Sequence, residues 1–174
     1  MKTRDVHLYK KLHEETTNYG DSGGIYVEEI AEFIQERSVT NVLDFGCGKG
    51  MLADILTERL PAITIDKYDP AIEGHTTIPA EAYTVIVSTD VLEHLYPDEI
   101  EGIFKEMLEL DPEAMYHVIS HVAAHQILSD GTNAHKTVEP PEWWKEKIEQ
   151  LCPDYTVSFT KTDVGHFKIV RAVS

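Results

Sequence analysis

The sequence predicts an α/β fold, a three-layer sandwich in which helices cover both faces of a mostly parallel sheet. Three observations carry this. Helical and strand-like hydrophobic patterns alternate along the 174 residues. The run Tyr83-Thr84-Val85-Ile86-Val87-Ser88 is largely β-branched and reads as an interior strand. A short apolar run, Asn41 to Phe45, passes directly into Gly46-Cys47-Gly48-Lys49-Gly50 and then into a helical pattern, a strand–turn–helix unit.

The elements follow in order. Residues 1–25 are polar and end in the turn-rich Tyr19-Gly20-Asp21-Ser22-Gly23-Gly24, so they are expected to be an arm; residues 26–174 are expected to be one domain. Val27, Ile30, Ala31 and Ile34 recur at helical spacing. The pattern after the glycine turn predicts a helix from Met51 to about Leu60, stopped by Pro61. Ala62 to Tyr68 reads as a strand closed by Asp69-Pro70. Pro97-Asp98 opens a helix with Ile100, Ile103, Phe104, Met107 and Leu108 on one face. Met115 to Ser120 is a buried-strand pattern, and Glu142 to Leu151 is helical. Tyr155–Phe159 and Phe167–Val173 alternate like a closing antiparallel pair. Between the Met115–Ser120 strand and the Glu142–Leu151 helix, residues 121–140 form a connection too long to be only a linker in a compact domain, which points to function.

Composition narrows the partners. Fifteen basic residues face 31 acidic ones, a net charge of -16. Such a field repels a polyanion, so long nucleic acid is not an expected partner. No apolar run suits a membrane span, and the N-terminus lacks the apolar core of a secretory signal. Cys47 and Cys152 are the two cysteines; read as free thiols, they fit a cytoplasmic setting.

The glycine turn suggests a ligand. Glycines let backbone approach a bound molecule, and the helix start behind them offers unpaired N–H groups. A tight turn alone could also demand glycine, so the flanking residues decide. Asp44 holds the last inward position of the strand, two residues before Gly46; it would repel a pyrophosphate and attract an ammonium or sulfonium group. Asp69, nineteen residues after Gly50, ends the next strand where a carboxylate can take both ribose hydroxyls of an adenosine. Asp66 competes for that role but lies inside the strand. The turn also lacks the Gly-x-Gly-x-x-Gly form typical of dinucleotide sites.

With these residues in view, Val42-Leu43-Asp44-Phe45-Gly46-Cys47-Gly48-Lys49-Gly50 resembles the first motif of class I, Rossmann-like S-adenosylmethionine (SAM)-dependent methyltransferases. Ser88-Thr89-Asp90-Val91-Leu92-Glu93-His94 is similar to their motif after the fourth strand. The compact length resembles phage and bacterial members. The resemblance implies seven strands in the order 3-2-1-4-5-7-6, the seventh and last in the chain antiparallel; this chain departs from it in that only Ala71 to Ala82 separates the second strand from the fourth, which abbreviates the third to about 75–78 and leaves the family's adenine contact without a match. It implies SAM as methyl donor and S-adenosylhomocysteine (SAH) as product. The implied cofactor set is Asp44, Phe45, Gly46, Cys47, Gly48 and Gly50 around the methionine part, and Tyr68, Asp69 and Pro70 at the ribose. Asp90, Val91 and Leu92 would border the adenine or sulfonium. The arm, with Tyr9, His13, Tyr19 and Gly20, would close over the cofactor as a lid.

The acceptor is expected beside strands four and five. His121, directly after the fifth strand, is the first candidate for general base, followed by His94, Glu93 and His135; the connection adds His125, Asp130 and Asn133. His117, inside a strand, is expected to be core. The reading is O-methylation of a small molecule, sugar or nucleotide-sized acceptor. One branch of the family methylates the terminal ribose of small RNAs with a divalent metal; Asp90, Glu93, His94 and His135 would match its ligands, and no metal is assigned. The Asn/Asp-Pro-Pro-Tyr/Phe tetrapeptide of adenine-N6 enzymes is absent. A non-catalytic SAM-binding module and a nucleotide-dependent oxidoreductase are the competing readings.

Overall fold

The computed structural model describes residues 3–17, 19–20 and 22–172. Asp21 of the expected turn and Val173 of the expected last strand lie outside the described residues. Helix α1 spans Val6–Glu15 and α2 spans Val27–Gln35, joined by a 3-10 turn over Ser22–Tyr26. Strand β1 is Asn41–Phe45, α3 Met51–Arg59, β2 Thr64–Tyr68 and β3 Val85–Thr89. After a short 3-10 turn over Leu92–His94 come α4 (Ile100–Leu108), β4 (Ala114–Ile119), α5 (Pro141–Leu151), β5 (Tyr155–Lys161) and β6 (Gly165–Arg171).

The six strands form one sheet in the order β2-β1-β3-β4-β6-β5. β1 to β4 run parallel, and β6 is antiparallel to both β4 and β5. This is the expected Rossmann-like order with one strand removed. The expected third strand does not form. Its segment is held by turns instead: the Asp69 N–H donates to the His75 carbonyl at 2.8 Å, and the His75 N–H to that of Ile72 at 3.1 Å. Pro79 has no N–H for a ladder. Downstream, the Tyr83 hydroxyl donates to Asp66 in β2 at 2.8 Å and receives the Ala80 N–H at 3.2 Å.

A second difference is α1, which turns much of the expected arm into helix. None of its residues is fully buried, so the strong apolar stripe that marks α2 is missing there.

The pleat divides the core. Leu43, Phe45, Ile86 and Met115 face α4 and α5, against Phe104, Met107, Trp144 and Ile148. Val42, Val85, Val87 and Val118 face α2 and α3, against Ile30, Phe33, Ile34 and Leu56. The sheet is thus the middle of three layers. Trp144 is fully buried while its neighbour Trp143 is only partly so, as adjacent positions on a helix require. Truncating a fully buried aromatic such as Trp144 or Phe104 to alanine is expected to cost about 3–5 kcal/mol. Among the described residues no helix is long and apolar enough to cross a membrane.

Candidate active site

The parallel strands end at a common cavity of about 380 Å³, where ligands of open α/β sheets bind. One end of it is the turn after β1. The N–H groups of Gly46 and Cys47 both donate to the Tyr68 carbonyl, at 2.7 and 3.1 Å, which ties the turn to the end of β2. Gly48 has φ +53°, and a Cβ there would stand 2.6 Å from the carbonyl oxygen of Gly20. Only glycine permits this approach. The Gly48 N–H donates to Asp69 Oδ2 at 2.9 Å, and the Ala71 N–H to Asp69 Oδ1 at 2.8 Å. Two backbone donors therefore aim the Asp69 carboxylate on the cavity wall.

Gly46, Cys47, Gly48, Asp69, Pro70, Asp90, Val91, Tyr19 and Gly20 all reach that wall. Asp44, Phe45, Gly50, Tyr68 and Leu92 do not line it. Phe45 and Tyr68 pack ring to ring at 5.1 Å behind it, and Leu92 is fully buried. Gly50 caps α3 with φ +83° beside the Lys67 side chain. Asp44 is buried at the base of α3: burial pushes its carboxyl up to about 7, while the backbone N–H of Ala53 pulls the other way. Its Oδ2 has no hydrogen-bond partner. Asp90 takes a left-handed backbone, φ +54°, uncommon for a residue other than glycine. That bend turns the chain out of β3 and into the cavity rim.

The other end of the cavity is built on two histidines. His94 Nδ1 lies 2.9 Å from the Ala134 carbonyl, and His135 Nδ1 lies 2.6 Å from that of Val122. A carbonyl only accepts, so each Nδ1 donates, and in the neutral imidazole the lone pair is then on Nε2. The two rings meet edge to face with centroids 4.8 Å apart. Burial, and then His135, hold His94 at about 4, so it is neutral near pH 7. Tyr9 braces the pair: its hydroxyl lies 2.8 Å from the Ala134 carbonyl and 3.1 Å from that of His94.

Glu93 stands behind this wall, fully buried. Its Oε1 accepts the Ser120 N–H at 2.7 Å, and its backbone carbonyl accepts the N–H groups of Lys136 and Thr137 at 2.8 and 3.0 Å. Burial, then the charge of Asp90, push its carboxyl well above the usual range. Glu93 thus ties the turn after β3 to the end of β4 and to the segment that follows His135.

His121 does not line the cavity; β4 stops at Ile119 and it is Ser120 that turns inward, leaving His121 Nδ1 buried without a partner. His125 does reach the wall. His117 is core as expected, its Nδ1 2.8 Å from Ser88 Oγ, and burial lowers it to about 3. Sequence reasoning missed Val6, which joins Tyr9 and His13 on the cavity wall. Their spacing of three and four residues, one helical face, was the signal available.

The residues fit the methyl donor that the sequence implied: a glycine cradle, an aimed carboxylate and a small-ligand cavity adjoin one another. Asp90, Glu93, His94 and His135 sit in neighbouring segments, and each imidazole donates its Nδ1–H to a backbone carbonyl, which leaves Nε2 available to a proton or a metal alike. Among the described residues no three His, Cys, Asp or Glu side chains are placed to hold a metal ion.

A family model described as a methyltransferase domain matches residues 21–156. Among solved structures, small RNA methyltransferase HEN1 is similar with a TM-score of 0.68 and 15% identity, over 87% of this chain and 25% of that one. This chain therefore spans only a quarter of HEN1. The DhpI–SAH complex gives 0.65 and 15%, over 95% and 96% of the two chains. An O-methyltransferase family protein from Burkholderia thailandensis gives 0.61 and 13%, over 92% and 61%. At these identities the likeness is one of fold. No protein of curated function gives a significant match.

Proposed function

This chain belongs to the family of methyltransferase domains, and we propose that it is a SAM-dependent enzyme that methylates a hydroxyl oxygen of a small acceptor held beside His94 and His135. The observation that carries the reading is a single cavity that reaches from the glycine turn and Asp69 to the two imidazoles.

SAM supplies a methyl group on a positively charged sulfur, already activated toward displacement. The chain must hold, align and dry the reactants. The glycine turn would take the amino-acid end, and Asp69 the ribose. Tyr19 and Gly20, with Tyr9 and His13, close the wall from the N-terminal side; we propose that this segment is the lid. His94 and His135 each offer a bare Nε2 as the proton acceptor. In the reaction the acceptor oxygen forms a bond to the methyl carbon, the carbon–sulfur bond breaks toward a neutral thioether, and the hydroxyl proton passes to an imidazole. Glu93 holds both histidine segments in place from behind.

The test is calorimetry with SAM and SAH, followed by SAH release measured over a panel of hydroxy-compounds. Heat of binding with turnover supports the reading. Absence of any binding by folded protein ends it; binding without turnover on any acceptor favours a non-catalytic module.

A further inference from the structure

The wall opposite the glycine turn has its own character. Val6, Leu95, Val122, Ala123 and Ala124 line it around the His94–His135 pair. Ile127 lies just beyond this wall, one residue after the wall residue Gln126. Val122 and Ile127 are 56% and 57% exposed, two of the few large apolar side chains left open to water among the described residues. Val122 also holds His135 through its carbonyl, so the apolar rim and one proton acceptor form a single unit.

Charge around the cavity offers an acceptor anion no partner. Asp90 is on the wall at the end of β3, and Asp69 lines the donor end. Arg4, Lys49 and Lys136 each follow a wall residue in sequence, yet each is engaged elsewhere. Arg4 pairs with Asp98 and Glu99. Lys49 Nζ donates to the carbonyls of Thr16 and Thr17. Lys136 Nζ lies 3.4 Å from Asp5 and 2.5 Å from Thr132 Oγ1. Among the described residues no lysine or arginine lines the cavity. A phosphate or carboxylate on the acceptor would meet no lysine or arginine there.

Size adds a constraint. A volume of about 380 Å³ is near the small end of ligand pockets, roughly 300–1,000 Å³. An adenosyl donor fills much of it, so the body of the acceptor must lie across the rim. Resting on the methyl-transfer reading above, we infer that the acceptor is an uncharged hydroxy-compound whose apolar body covers Val122 and Ile127, and not a phosphorylated or carboxylated molecule. The hydroxyl donates to the imidazole pair, and the rim removes apolar surface from water.

The test uses the whole chain, labelled at Ile, Leu and Val methyl groups and saturated with SAH. Three probes are titrated: 4-ethylphenol, 4-hydroxybenzoate and 4-hydroxyphenyl phosphate, which share a phenol and differ in the opposite group. The expected result is that 4-ethylphenol shifts the methyl signals of Val122, Ile127 and Val6. The two anions should bind at least about tenfold more weakly. Gln126→Arg, which adds a cation at the cavity wall, should narrow that gap. Equal or tighter binding of the phosphate, or a neutral probe that leaves those methyl signals still, overturns the inference. SAH binding is read separately at Leu52 beside the glycine turn. If SAH itself fails to bind, the donor reading fails with the inference; if SAH binds and the neutral probe does not, only the acceptor inference falls.

Discussion

Gly20 and Gly48 meet backbone to backbone: a methyl group on Gly48 would sit 2.6 Å from the Gly20 carbonyl oxygen and 3.0 Å from its Cα. The glycine turn therefore binds the N-terminal segment as well as shaping the ligand site. Gly48→Ala is expected to push the two apart and to strain a left-handed backbone, with about 1–2 kcal/mol of lost stability. SAM binding should be lost while circular dichroism still reports a folded protein. Calorimetry that finds wild-type affinity would show that the contact is incidental.

The N-terminal segment makes a second prediction. Removing residues 1–20 takes away Tyr9, His13, Tyr19 and the Lys49 contacts at Thr16 and Thr17. SAM affinity should fall and the dissociation rate rise, with the sheet intact. The gentler Tyr9→Phe removes one hydroxyl from the His94 and Ala134 carbonyls and should cost about 1 kcal/mol of stability. Stopped-flow release of SAH distinguishes a lid, which changes the rate, from a passive terminus, which does not.

His94→Asn keeps a donor for the Ala134 carbonyl and removes the bare nitrogen. Turnover should fall about 10²- to 10⁴-fold if that nitrogen takes the proton, with SAM affinity unchanged. His121→Ala should leave turnover near wild type, because His121 is off the cavity wall. Reversal of these two results would return the base to the position after β4.

Two buried groups give pH effects of opposite sign. Folding raises Asp44 from 3.8 to about 7. The folded state then binds the extra proton between those values, and stability falls as pH rises through that window. Folding lowers His94 from 6.5 to about 4. There the unfolded chain binds the extra proton, and stability falls as pH drops through that window. His117, lowered to about 3, acts in the same sense as His94. Asp44→Asn should therefore remove a loss of a few kcal/mol between pH 5 and pH 8, on the order expected for a shift of this size. Denaturant melts at the two pH values, compared between variant and wild type, measure it.

The parts of the fold that were legible in the sequence are those that local chemistry determines. β1, β3 and β4 are apolar runs buried on both faces, and the turn after β1 carries glycines that its positive φ values require. The place of Asp69 at the end of β2 was legible because Tyr68-Asp69-Pro70 is a strand-to-turn signal. The misses share a cause: they depended on distant partners. α1 is stabilised by contacts to His94, Ala134 and Tyr96 rather than by an apolar stripe of its own. Glu93 reads in sequence as an active-site acid, yet its burial against Ser120 is visible only in three dimensions. The place of His121 turned on where β4 ended, a matter of one residue.

Tyr83 and Asp66 return to notice at the margin of the sheet. Without a third strand, β2 is the outermost strand on its side, and an open row of backbone donors and acceptors invites another chain to pair with it. The Tyr83–Asp66 bond draws the 71–84 segment back to that margin, and β2 itself carries Asp66 and Lys67. The economy of one fewer strand is thus matched by a guard against self-association, and loosening it through Tyr83→Phe would expose the molecule to edge-to-edge aggregation before it disturbed the ligand cavity.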